Sequence, residues 1–100
     1  ETMEIKKMQD GDNLTIVLTG RLDTTTAPHL EAELKSSIGG VTYLIFDFEN
    51  LEYISSAGLR VILSAQKVMN RQGNMVIRNV DENVMDVFEV TGFVDILTIE

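Results

Sequence analysis

DFENLEYISSAGLRVIL, residues 47–63, is the stretch whose reading decides the fold. Before it, the apolar run Leu44-Ile45-Phe46 passes into Asp47 and a short polar segment; two serines follow, and Gly58 leads into apolar residues at helical spacing. A buried strand that turns through a loop into a helix is the repeating unit of α/β sheets. Ser55 and Ser56 stand at the helix start, where unpaired backbone N–H groups and the positive end of the helix dipole gather. A negative charge is welcome there, and a serine in that place is suited to carry a phosphate.

Working outward, the chain alternates strands and helices after an initial strand pair. Met3 to Met8 and Leu14 to Thr19 are short apolar runs around the turn-rich Gln9-Asp10-Gly11-Asp12-Asn13, which predicts a hairpin. Asp23 to Thr26 supply possible N-caps and Pro28 suits a first helical turn. Leu30, Leu34 and Ile38 then recur at helical spacing up to Gly39-Gly40. A strand is expected from Val41 to Phe48, apolar on both sides at Leu44-Ile45-Phe46 as for a central strand with helices above and below it. A helix from about Ala57 to Gln72 stops at Gly73, and Met75 to Arg78 forms the next strand. Asp81 caps a helix carrying Val84, Met85 and Phe88 that ends at Gly92, and Asp95 to Ile99 is the expected last strand. The order is ββαβαβαβ in one α/β domain over residues 1–100. Its mixed sheet begins with a hairpin, and the helices need not cover both faces equally.

Bulk composition limits what this domain can do. At 100 residues and 44% hydrophobic side chains, the chain buries one core. Its apolar stretches fall short of the roughly 20 residues that span a bilayer, and no basic segment precedes an apolar one at the start. A soluble, cytoplasmic protein with no membrane partner is expected. The net charge of -8 argues against nucleic acid, which requires clustered Lys and Arg, and leaves basic protein surfaces as partners. Catalysis is not expected either. Tyr-Ile-Ser-Ser-Ala-Gly lacks the leading glycine of a nucleophile elbow, and the lone histidine, His29, falls on another helix. There is no cysteine for a thiolate or metal site, and the pairs Asp10/Asp12 and Asp81/Glu82 read as turn and cap residues. Phosphate-cradling glycine motifs are absent as well, so no metal or cofactor is expected.

The helix after the serines has an unusual face. Arg60, Ser64, Lys67 and Arg71 fall within a sector of about 60°, while Val61, Ala65 and Val68 lie at the margin of the stripe of about 100° that a sheet buries. The face reads either as ordinary core beside a solvated stripe or as a docking surface.

Three motifs in order, T-G-R-L-D-T-T-T-A at 19–27, the loop and helix at 47–63, and F-E-V-T-G-F at 88–93, make the whole chain resemble the STAS domain, a family of sulfate-transporter tails and bacterial anti-sigma factor antagonists. As a lone domain with a loop serine, it is more similar to the antagonists. The resemblance implies a partner-switching cycle. The unphosphorylated antagonist binds an anti-sigma factor that is also a serine kinase and so frees the sigma factor; phosphorylation releases the antagonist, and a phosphatase resets it.

With Gly58 as the family's loop glycine, the resemblance implies Ser56 as phosphoacceptor, ahead of Ser55. Ser55 stands where many members have aspartate, and Ala57 replaces a second hydroxyl. Asp23 matches an acidic residue that the family places near the acceptor; capping the first helix is its other reading. The expected partner surface joins Asp23 and Thr24 to Ser55, Ser56, Ala57 and Gly58, and continues along Arg60, Val61, Ser64 and Lys67. A monomer is the favoured state. The alternative function is a non-phosphorylated STAS scaffold or subunit of a larger assembly, in which Ser56 would only cap its helix.

Overall fold

Hydrogen bonding and alternation along the chain give four strands and three helices in a computed structural model that describes residues 2–100. The strands are β1 (Met3–Asp10), β2 (Asn13–Leu22), β3 (Tyr43–Ile54) and β4 (Asn74–Arg78), in sheet order β1-β2-β3-β4. The helices are α1 (Ala27–Ser37), α2 (Ser56–Gln72) and α3 (Glu82–Thr91). β1 pairs antiparallel with β2 around Gly11 and Asp12, while β2, β3 and β4 run parallel. Gly11 takes φ 62°, as the first central position of a tight hairpin turn requires. The expected hairpin, mixed sheet and element order are therefore present.

One core joins the elements. Leu14, Ile16 and Leu18 of β2, Leu44, Phe46 and Phe48 of β3, and Met75 and Ile77 of β4 meet Leu30, Ile62, Met69, Val84 and Phe88 of the helices. Phe48 sits between Phe46 and Phe88, with ring centroids 5.8 and 6.4 Å apart. The helices do not lie above and below the sheet, as the doubly apolar run in β3 suggests. Ile45, Val17 and Thr15 are only half-buried on the opposite face. The reason is topological: parallel strands added in one direction by right-handed crossovers place every crossover helix on the same side.

Two further differences bear on the site. β3 does not end at Phe48 but runs on to Ile54, through register shifts between Val17 and Thr19 and between Gly20 and Arg21 of β2. Each bulge adds a residue to β3, so Phe48, Leu51 and Ile54 reach the core at a spacing of three instead of two. The last strand shrinks to a single parallel bridge between Ile99 and Ile77, after a 3₁₀ turn at Phe93–Asp95 that takes the place of the strand's expected start.

Helix ends follow local chemistry. Asp81 caps α3, its carboxylate accepting from Val84 N–H at 2.9 Å, and Gly92 closes the helix in the left-handed region at φ 80°. Gly73 ends α2 where its backbone meets Thr42 so closely that a Cβ has no room.

Candidate functional site

The site is built where β2 and β3 end side by side. Leu22 pairs with Ile54, and Ser55 N–H donates to Leu22 O at 2.9 Å, which ties the start of α2 to the end of β2. Gly58 packs into this corner. A Cβ there would lie 2.6 Å from Leu22 Cγ and 3.0 Å from Ile54 Cγ1, so only glycine lets the first turn of α2 seat this low. Gly58 is thus buried beneath the expected partner surface and does not face outward from it.

The two serines have different surroundings. Ser55 is the N-cap, with extended backbone at φ −100° and ψ 177°, and its hydroxyl accepts from Gly58 N–H at 3.4 Å. Ser56 is the first residue of the helix. It is exposed, and its hydroxyl has no hydrogen-bond partner among the described residues. The capping role that the scaffold reading gives Ser56 is carried by Ser55. Helix α2 begins one residue earlier than the spacing of its apolar residues predicts, because the cap and not the first apolar residue sets the boundary.

Asp23 organises the adjoining turn. Its Oδ1 accepts from Thr25 N–H at 3.0 Å, Thr25 Oγ1 at 2.8 Å and Thr26 N–H at 3.2 Å. The Thr25 hydroxyl is the main cause that holds this carboxyl below its ordinary value, helped by the backbone N–H groups and opposed by partial desolvation. Thr26, not Asp23, is the N-cap residue of α1, without a side-chain cap bond. Its buried hydroxyl instead donates to Arg21 O at 2.7 Å and accepts from Asp23 N–H at 2.8 Å. Asp23 therefore serves the turn into α1 as an Asx-type brace, while remaining one residue from the strand end that holds Ser55.

Arg21 and Tyr53 complete the corner, and composition alone did not single them out. They are register partners on β2 and β3; the Arg21 guanidinium lies 4.2 Å from the Tyr53 ring centroid and its Nε 3.8 Å from Asp23 Oδ2. Tyr53 stays 40% exposed, an aromatic surface beside the serines. The signal in the sequence was Arg21 within T-G-R-L-D; its partner needed the bulged register.

Much of the remaining expected surface converges. Thr24, Ala57, Arg60, Val61 and Ser64, joined by Glu31 of α1, line an open cleft of about 280 Å³ between α1 and α2. A second, more apolar hollow of about 200 Å³ continues along the same helices past Val61, Ala65 and Val68 to Leu34 and Ile38. Val61 and Ala65 are buried and Val68 half-buried, so the marginal residues face α1 across a groove. Lys67 lies outside both hollows, exposed on the stripe with Arg60, Ser64 and Arg71. No cluster of residues able to hold a metal occurs among the described residues, and no described helix is long and apolar enough to cross a membrane.

Comparison with known proteins agrees with this geometry. The STAS domain family model matches residues 4–100. A protein of Bordetella bronchiseptica named as an anti-sigma factor antagonist is 38% identical over 88 residues, covering 86% of this chain and 76% of its own. The anti-sigma-B factor antagonist of Listeria monocytogenes is 31% identical over 101 residues, covering 99% and 88%. Among solved structures, the Bacillus cell fate determinant SpoIIAA in its phosphorylated form superposes with a TM-score of 0.75 at 22% identity, over 99% of this chain and 91% of that one, a likeness of fold. The family model and the matched relatives show the family: the chain belongs to the STAS domain family, with relatives named anti-sigma factor antagonists.

Proposed function

We propose that this protein is an anti-sigma factor antagonist switched by phosphorylation of Ser56. The observation that carries the reading is the separation of roles in the double serine: Ser55 takes the cap, which leaves the Ser56 hydroxyl exposed at the first helical position, without a hydrogen-bond partner among the described residues. In the unphosphorylated state, an anti-sigma factor with serine kinase activity docks on the surface formed by Thr24, Ala57, Arg60, Val61 and Ser64, with Asp23 and Ser55 at its upper end and Lys67 below. Gly58 shapes that surface from beneath. Docking presents Ser56 to the kinase, whose ATP gives its γ-phosphoryl group to Ser56 Oγ with release of ADP and a proton.

The product carries nearly two added negative charges at the α2 N-terminus, where the N–H groups and the helix dipole tolerate them. The partner loses instead: its packed surface must desolvate or repel a dianion, and about 3 kcal/mol suffices for a hundredfold loss of affinity. A phosphatase then removes the group and restores binding.

The test is direct. Incubation with ATP and a kinase encoded beside this protein adds the mass of one phosphate, and peptide mapping puts it on Ser56. Ser56→Asp loses the partner while keeping the fold; Ser56→Ala keeps the partner and takes no phosphate. A phosphate mapped to another residue overturns the assignment.

A further inference from the structure

The two edges of the sheet are treated differently. Beyond β4, the terminal segment closes the edge: Ile77 N–H donates to Thr98 O and Glu100 N–H to Ile77 O, each at 2.9 Å. Beyond β1 there is no strand among the described residues, and β1 is 8 residues long. A long open edge is a template for pairing, which natural sheets guard with lysines, bulges or prolines. β1 pairs with β2 without a bulge. One of its lysines is diverted from guard duty, since Lys7 Nζ folds onto α1 at 2.7 Å from Glu33 Oε1 and 2.8 Å from Ser37 Oγ.

The hairpin fixes what this edge presents. Its two-residue turn leaves Asp10 and Asn13 as the closing pair. Such a closing pair is hydrogen-bonded, and the pattern alternates from there. Glu4, Lys6 and Met8 therefore spend their backbone groups on β2, while Met3, Ile5 and Lys7 direct theirs outward. The side chains alternate too. Ile5 and Lys7 sit opposite the core residues Leu18 and Ile16 on the helix side, and Glu4 and Lys6 project on the open face.

We propose that β1 pairs antiparallel with β1 of a second copy, across a two-fold axis at Ile5, to form one continuous sheet. An antiparallel pair related by a two-fold axis keeps both helix layers on the same side, so only residues of the same face can stand opposite one another. That leaves few registers. Centring on Glu4, Lys6 or Lys7 sets a charge against its own copy, which is destabilising. Centring on Ile5 sets Ile5 against Ile5, Met3 against Lys7, and Glu4 against Lys6 on both sides of the axis. In that register every outward-directed group of Met3, Ile5 and Lys7 finds a strand partner. Glu4 and Lys6 fall at non-hydrogen-bonded positions, where Cα atoms approach to about 4.5 Å and side chains interact best. Neither forms another ion pair among the described residues.

The surface beneath the edge suits the same occupant. An open cleft of about 610 Å³ lies between β1 and α1, lined by Thr2, Met3, Ile5, Pro28, His29 and Ala32. Met3 and Ile5 pack only partly against the core, and a second copy covers both. Pro28 lines both this cleft and the one between α1 and α2, but the strand pairing itself uses only β1, which contributes no residue to the proposed partner surface. The proposed dimer differs from the monomer expected from the sequence.

The experiment is sedimentation of the chain from about 10 μM to about 1 mM, the range in which a small interface associates. Wild type shifts from monomer to dimer. Glu4→Lys or Lys6→Glu alone places like charges at both pairs and weakens association by about tenfold or more, while the double swap restores it. Amide exchange at Met3, Ile5 and Lys7 slows as concentration rises, whereas Glu4 and Lys6 are protected throughout by β2. A chain that stays monomeric, a dimer indifferent to the single swaps, or an Ile5 amide that never gains protection overturns the proposal.

Discussion

Replacing each serine of the pair by alanine should separate their roles in one pair of measurements. Ser55→Ala removes the side-chain acceptor that Gly58 N–H has among the described residues. N-cap losses cost about 0.5–2 kcal/mol, and a contact of 3.4 Å, long for a hydrogen bond, belongs in the lower half of that range, at about 0.5–1 kcal/mol. Ser56→Ala deletes an exposed hydroxyl with no partner among the described residues and installs the best helix former, so its effect should stay within about 0.5 kcal/mol and lean toward stabilisation. For a domain of this size, 1 kcal/mol moves Tm by about 4–8 °C, so Ser55→Ala should melt about 2–8 °C below wild type and Ser56→Ala within about 4 °C of it. Urea midpoints should give the same order. Treated with ATP and the kinase, Ser55→Ala should still gain one phosphate and Ser56→Ala none. Equal melting losses, or the larger loss at Ser56, would refute the division of roles.

Three other perturbations probe the same corner. Gly58→Ala drives a Cβ to 2.6 Å from the buried Leu22 side chain and 3.0 Å from Ile54, and overpacking of this kind costs about 1–3 kcal/mol, read as a lower urea midpoint at unchanged slope. Thr26→Val keeps the shape but strands Arg21 O and Asp23 N–H, for a loss of about 1–3 kcal/mol in thermal unfolding; a neutral result would mean that the hydroxyl is not what holds the turn. The folded Asp23 carboxyl is depressed, so the stability it contributes is fully present above the ordinary value of 3.8 and is lost only as pH falls through the lower folded value. A carboxyl NMR titration should place its midpoint below 3.8, and one at or above that value would contradict the Thr25 bonding.

Legibility in the sequence followed periodicity. Helices α2 and α3 carried caps, apolar spacing and stop glycines that agree with one another, and the structure has them within a residue or two. The hairpin was equally plain from its turn residues. What failed was the segment from Glu49 to Ile54, where bulges carry the buried face on from Phe48 to Leu51 and Ile54 at a spacing of three. A pattern that is neither two nor 3.6 reads as loop, because the pairing that makes it a strand depends on β2, some 30 residues earlier. The same dependence hid the contact of Arg21 with Tyr53. The last strand was overread: Ile96, Leu97 and Ile99 are apolar enough for a strand, but the chain coils into a 3₁₀ turn at Phe93–Asp95 and leaves only Ile99 to pair.

The bulged register is also what makes a rigid platform of the site. Two extra residues on β3 carry Ile54 level with Leu22; that pairing lets Ser55 N–H reach Leu22 O and lets Gly58 settle against both side chains. On the other side, Asp23 and Thr26 lock the turn that follows Leu22 through their mutual hydrogen bonds. Both flanks of Ser56 are thus held by backbone pairing and buried packing, while its own side chain is held by nothing among the described residues. A group added to Ser56 Oγ then has little local structure to disturb, and its charge is delivered to whatever lies against the surface. Under the proposed function, a phosphate there would act through the partner's electrostatics and not through the shape of this chain. Backbone amide shifts of the phosphorylated chain should therefore move only around residues 54–60 and the 22–26 turn. Shifts spreading into β4 or α3 would mean that the platform yields.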